Sequence, residues 1–176
     1  TYLTRVTTGV KDSAGNTLSS QYETSNGFNT SPLLVAVGSG VILTSSNATT
    51  WNPTSVSGTL YDVVYGNGVF VAVGASAKIV TSSDNGSTWE TLSVSNSGSN
   101  LNGTTGIYVD LYAVNFVNNN FVAVGYGDIN QSTAIITSSD NGSTWTVQSS
   151  GINDKLRGIE YGNGKYVVVG DNQKTM

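Results

Sequence analysis

At 176 residues, with seven Lys and Arg against eleven Asp and Glu and a formal net charge of -4, the chain is the size of one domain and lacks the clustered positive charge that nucleic-acid phosphates require. It has no cysteine and no histidine, so disulfides, thiolate ligands, the usual general base and the commonest metal ligand are all missing; no metal and no cofactor is expected. Its apolar runs are short, as in Leu33 to Val37 ended by Gly38, which excludes a membrane-spanning helix of roughly 20 residues.

Short Val-rich runs separated by Gly, Ser, Thr and Asn spell strands and tight turns, and one pattern of them recurs. In chain order, Thr1 to Val6, within an N-terminal strand of 1–8, lines up with Thr144 to Val147 as an isolated outer strand. A first repeat over 17–52 takes Leu18 to Ser25 as inner strand a, Asn26-Gly27 as turn, Leu34 to Gly38 as strand b and ends at Trp51. The second, over 59–92, is the clearest. Leu60 to Tyr65 alternates as strand a, Gly66-Asn67-Gly68 makes a hairpin turn, Phe70 to Val73 is an apolar strand b ended by Gly74, Lys78 to Ser82 is strand c, and strand d follows Trp89. The third, over 110–148, repeats this from Leu111 to Trp145. The fourth, over 156–176, supplies a and b from Leu156 to Gly170. The strand b glycines Gly38, Gly74, Gly125 and Gly170 are 36 to 51 residues apart, an interval that suits four antiparallel strands per unit. The expected fold is an all-β propeller in a single domain over 1–176. It holds about four four-stranded blades, either closed by the N-terminal strand or forming a segment of a larger ring; open blade edges make self-association a further expectation.

The turn Ser82-Ser83-Asp84-Asn85-Gly86-Ser87-Thr88-Trp89 and its twin Ser138 to Trp145 resemble the Asp-box, S-x-D-x-G-x-T-W, of sialidase-like (BNR-type) propellers of secreted bacterial and phage surfaces. Within each turn the Asp carboxylate (Asp84, Asp140) can accept backbone N–H groups. The Gly (Gly86, Gly142) tolerates a left-handed φ, and the Trp fills space between sheets. The resemblance implies that Ser82, Asp84, Gly86, Thr88, Trp89, Ser138, Asp140, Gly142, Thr144 and Trp145 are structural. A calcium loop is excluded because its twelfth position falls on Ser95 or Gly151. A shorter copy, Ser45 to Trp51, has Asn47 for Asp and no Gly, and a looser turn is expected there.

In such a blade the a–b and c–d turns lie at one end and the b–c and d–a connections at the other. The first set is nearly uniform and the second differs in every copy, so the second is the expected binding face. The d–a segment 95–108 and the b–c segment 126–132 outgrow their counterparts Val56 to Thr59 and Ala75 to Ala77. Asn102, Tyr108, Tyr126, Asp128 and Asn130 combine ring faces with amide and carboxylate groups, the mixture that binds sugars. Arg157, beside Asn153-Asp154-Lys155, is a candidate anion anchor. The resemblance does not extend to a sialidase active site: Arg5 and Arg157 are the only arginines and there is no R-I-P motif. The expectation is therefore a non-catalytic module of a cell exterior or virion surface that recognises a glycan or a protein. The alternative is an assembly scaffold docking a protein, as in photosystem-assembly propellers that the pattern also resembles. A glycosidase would need two carboxylates across a sugar.

Overall fold

Asn67 (φ 48°), Asn119 (φ 65°) and Asn163 (φ 52°) take the left-handed backbone that a two-residue hairpin demands, and they mark the same turn in three successive repeats. In a computed structural model the described residues are 5–6, 22–23, 33–92, 109–127 and 132–171. They form fourteen antiparallel strands and one 3₁₀ turn, Ala75–Ala77. Among them no helix is long and apolar enough to cross a membrane.

The chain divides into residues 1–32 and 33–176. In the first part β1 (Arg5–Val6) pairs with β2 (Tyr22–Glu23), which lies inside the expected strand Leu18 to Ser25. The strand c that ring closure would give β1 as a partner falls after Asp171, outside the described residues.

The second part holds the repeats. β3 (Leu34–Val37), β4 (Ser39–Ser45) and the start of β5 (Asn52–Gly66) are strands b, c and d of the first. The end of β5, β6 (Val69–Gly74), β7 (Ile79–Ser82) and β8 (Glu90–Leu92) are a to d of the second. β9 (Val109–Val117), β10 (Asn120–Gly127), β11 (Ser132–Ser138) and β12 (Thr146–Gln148) complete the third as an isolated four-stranded sheet. β13 (Leu156–Gly162) and β14 (Lys165–Gly170) pair as a and b of the fourth. One boundary differs from the sequence reading. Val56 to Thr59 is not a loop but part of β5, which leaves β4 and joins β6 without a break, so the first two repeats form one six-stranded sheet. Four residues are too few for a detour, and Gly58 at φ 77° swings the extended chain from one partner to the next.

Strand b of the second and third repeats is apolar on both faces because these two repeats are packed on both sides. Val71, Val73 and Ile79 meet Leu111, Phe121, Ala123 and Ile136 of the next repeat, while Ala72, Val80 and Leu60 meet Ile42 of the one before. Ala113 and Val124 likewise meet Leu156 and Val168. Each fully buried Val, Leu, Ile or Phe among them contributes about 1.5–3 kcal/mol. Trp145 packs into the first of these interfaces and Trp89 into the second, at equivalent points.

The register slips at the end of each of the three described a–b pairs, next to Gly74, Gly125 and Gly170. A Cβ there would sit 2.0, 1.9 and 2.1 Å from the carbonyl oxygens of Thr59, Asp110 and Lys155, so glycine is required by close approach of backbone. Gly125→Ala should lower the urea unfolding free energy by about 2 kcal/mol or more. An unchanged midpoint would contradict this packing.

Candidate functional site

The two full boxes are superimposable networks. The Ser82 hydroxyl donates to Asp84 Oδ1 (2.8 Å) and accepts from Gly86 N (2.9 Å); Thr88 N donates to Asp84 Oδ1 (2.9 Å) and its hydroxyl to Oδ2 (2.6 Å). Trp89 Nε1 donates to the Gly86 carbonyl at 3.2 Å. Ser138, Asp140, Gly142, Thr144 and Trp145 repeat these bonds at 2.7, 2.9, 2.9, 2.6 and 2.9 Å. The glycines have φ 77° and 82° and lie against the preceding repeat, Gly86 on Leu33 and Thr44, Gly142 on Val71 and Thr81. The short copy is less loose than expected. Asn47 Oδ1 accepts from Ser45, Thr49 and Thr50, and Ala48 takes the left-handed φ of 62° that glycine takes elsewhere. All these groups work inside their own turns, as structural residues do.

The opposite end of the strands carries a row that the loops had hidden. The residue following the buried leucine of strand a is Tyr61 in the second repeat, Tyr112 in the third and Arg157 in the fourth. Strand a of each repeat lies beside strand a of the next: Val114 N donates to Asp62 Oδ2 at 2.8 Å, and Asn115 Nδ2 to Glu160 Oε1 at 3.1 Å. The three side chains therefore line up. The Tyr61 and Tyr112 rings are 5.5 Å apart with a 37° tilt, and the Arg157 guanidinium carbon is 4.4 Å from the centre of the Tyr112 ring. Tyr61 is 43% exposed.

Carboxylates hold this row. Asp171 grips Arg157 in a two-toothed pair, with Nε and Nη2 each at 3.1 Å. The pair is open to solvent, so it orients the guanidinium more than it stabilises the fold. Asp110 accepts from Ser76 N (3.1 Å) and from the Tyr112 hydroxyl (3.4 Å), tying the row to the b–c turn of the preceding repeat. Burial and the Asp110 charge push the Tyr112 phenol up against the opposing pull of Arg157. The hydrogen bond with Asp171 raises Arg157 and lowers Asp171.

Of the residues nominated from the sequence, Tyr126 lies in β10 and is only 9% exposed, with Lys155 Nζ 5.0 Å from its ring centre. Arg157 is at the expected end but engaged by Asp171 on its edge and by Tyr112 on its face. Asn102, Tyr108, Asp128 and Asn130 lie outside the described residues. Tyr61 and Tyr112 were missed. Aligning the strand a segments LYDVV, LYAVN and LRGIE would have found them, because the second column is polar or aromatic where alternation alone predicts only an outward-facing residue.

No protein-family model matches this chain, and no curated protein matches it. Among solved structures it is similar to YCF48 bound to D1 peptide, at 12% identity over 82% of this chain, with a TM-score of 0.39. It spans 59% of the length of that protein.

The box carboxylates have a consequence in acid. The bonds from the Thr88 hydroxyl, Thr88 N and Ser82 lower the Asp84 carboxyl from 3.8 to about 2. Asp140 is also lowered: burial pushes it up, but the bonds from Thr144 and Ser138 prevail. Since the folded chain protonates these groups later than the unfolded chain, their stabilisation is present above about pH 4 and is lost as pH falls toward about 2. Asp62 has the opposite sign, because burial raises it against the pull of Val114 N and Val63 N. Urea midpoints should fall with pH across this window, and less steeply in Asp84→Asn/Asp140→Asn. An equally steep double variant would exclude the boxes as the source.

Proposed function

We propose that this chain belongs to a β-propeller of the Asp-box kind and serves as a non-catalytic binding module of a cell exterior or virion surface, recognising a glycan through the end where the loops vary. The propeller reading is supported by three successive repeats with their inner strands side by side and by Trp turns seated between them at equivalent points. The Asp-box reading is supported by two S-x-D-x-G-x-T-W turns that share the Ser, Asp, Thr and Trp hydrogen bonds.

One observation carries the binding reading: the row Tyr61, Tyr112, Arg157 at the variable end of three adjacent inner strands, with its most exposed face on Tyr61. A sugar ring offers an apolar C–H face to a tyrosine and hydroxyls to neighbouring polar groups. Here the carboxylates of Asp110 and Asp171, each with lone pairs beyond its bonds within the chain, supply acceptors beside the rings. Polar side chains also gather where the third repeat passes to the fourth: Gln148, Ser149, Ser150, Asn153 and Thr133 line a shallow cleft of about 240 Å³.

The non-catalytic reading is supported by the duties of the described carboxylates. Asp62 accepts the N–H groups of Val63 and Val114, and Asp84 and Asp140 close turns. Asp110 holds Ser76 and Tyr112, Glu160 accepts from Asn115 and Tyr161 N, and Asp171 binds Arg157. Each of these six carboxylates accepts hydrogen bonds from within the chain, whereas glycosidase chemistry needs a pair aimed across a substrate.

A glycan array followed by calorimetry on the best hit tests the proposal. Tyr61→Ala should weaken binding by about tenfold or more while leaving the thermal midpoint in place, since the ring is exposed. A chain that binds no glycan on the array, or an affinity that ignores Tyr61→Ala, would remove the row from this role.

A further inference from the structure

Of the three side chains in the row, Arg157 alone carries a formal charge, and that charge is already engaged within the chain. The guanidinium edge that bears Nε and Nη2 meets both oxygens of Asp171 at 3.1 Å, and its flat face covers the Tyr112 ring at 4.4 Å. Fork against carboxylate is the geometry in which arginine recognises an acid most selectively. The backbone sets Asp171 in place for it. Asp171 N donates to the Lys155 carbonyl at 2.9 Å, two residues before Arg157, and Gly170 approaches that same carbonyl so closely that a side chain would not fit. The Arg157 and Asp171 side chains are each 46% exposed, so a ligand that reaches the row also reaches the pair.

The surroundings add no excess of positive charge. Around the Tyr112 and Tyr126 rings the described residues place Lys155 and Arg157 on one side of the balance and Asp110 and Asp171 on the other, two against two. Ionised carboxylates accept hydrogen bonds and donate none. A sugar hydroxyl can donate to the lone pairs that Asp110 and Asp171 keep. A sugar carboxylate brings only acceptors of the same sign, and the guanidinium it would need has its charge matched already.

We propose that Asp171 is a specificity-determining residue of the row: by holding Arg157 it restricts the site to uncharged sugars and turns away those that bear a carboxylate, such as uronic acids, a narrowing that rests on the glycan reading above. Arg157 is then no anion anchor, as its position in the sequence led one to expect, but a neutralised wall of the site. Only removal of Asp171 frees its chelating edge for an acid.

An array that carries neutral oligosaccharides beside the same oligosaccharides with one uronic acid, followed by calorimetry on the matched pairs, tests this on the whole chain. The native chain should prefer the neutral member by about fivefold or more. Asp171→Asn should remove or reverse the preference by gaining affinity for the uronic acid member. That gain should shrink as salt is raised and vanish in Asp171→Asn/Arg157→Gln, which a purely structural role of Asp171 would not produce. Thermal midpoints check folding, and loss of an exposed pair should move them little. Equal or stronger binding of the uronic acid member by the native chain would overturn the proposal and leave the glycan reading standing, as would a preference that ignores Asp171→Asn. Binding of no member of either series would remove the glycan reading and the proposal with it.

Discussion

Contact between the faces of consecutive sheets is the constraint on which the rest of the second part depends. A short antiparallel sheet exposed on one side can alternate polar and apolar residues, but one sandwiched between neighbours cannot. Phe70 to Val73 and Phe121 to Val124 are buried without alternation for this reason. The contact also explains why the tryptophans sit just after their turns. The Gly86 and Gly142 carbonyls hold the indole N–H groups, so each ring is held in its interface with the preceding repeat by its own turn. The carboxylate in that turn does no work at the interface itself; it fixes the backbone that presents the ring.

Much of this was legible in the residues because the same local choices recur together. Hairpin asparagines, strand b glycines and box residues point to one topology, and agreement among independent local signals is what a repeat provides. What escaped was of two kinds. The continuity of β5 depends on Val56 to Thr59 remaining extended, and a four-residue run containing glycine reads equally well as a loop. The Tyr61–Tyr112–Arg157 row depends on three strands lying side by side, and no sequence window holds it. Attention to the longest connections led to Tyr126, which the pairing of β10 with β9 and β11 buries. The shift at Gly125 sets the neighbouring backbone close enough that a Cβ would not fit, and Tyr126 follows inside that tight corner.

The two ends of the strands are thus built to different physical rules. At the hairpin and box end, side-chain amides and hydroxyls bond to each other across repeats, as Asn67 does to Asn141 at 2.7 Å and Asn118 to Tyr161 at 3.3 Å. Substitution there breaks a partner in the same chain. At the other end the strand b glycines draw the backbones together and thrust the next residue of strand a outward, so Tyr61, Tyr112 and Arg157 are displayed by the framework without forming part of its core. A position that the fold displays but does not fill can change chemically from repeat to repeat at little cost in stability. The change from Tyr to Arg along the row is such a change: both side chains offer a flat face at the same place, and only the second brings a charge, which Asp171 in the same repeat matches. The row thus presents aromatic surface at Tyr61 and Tyr112 and an ion pair at its far end.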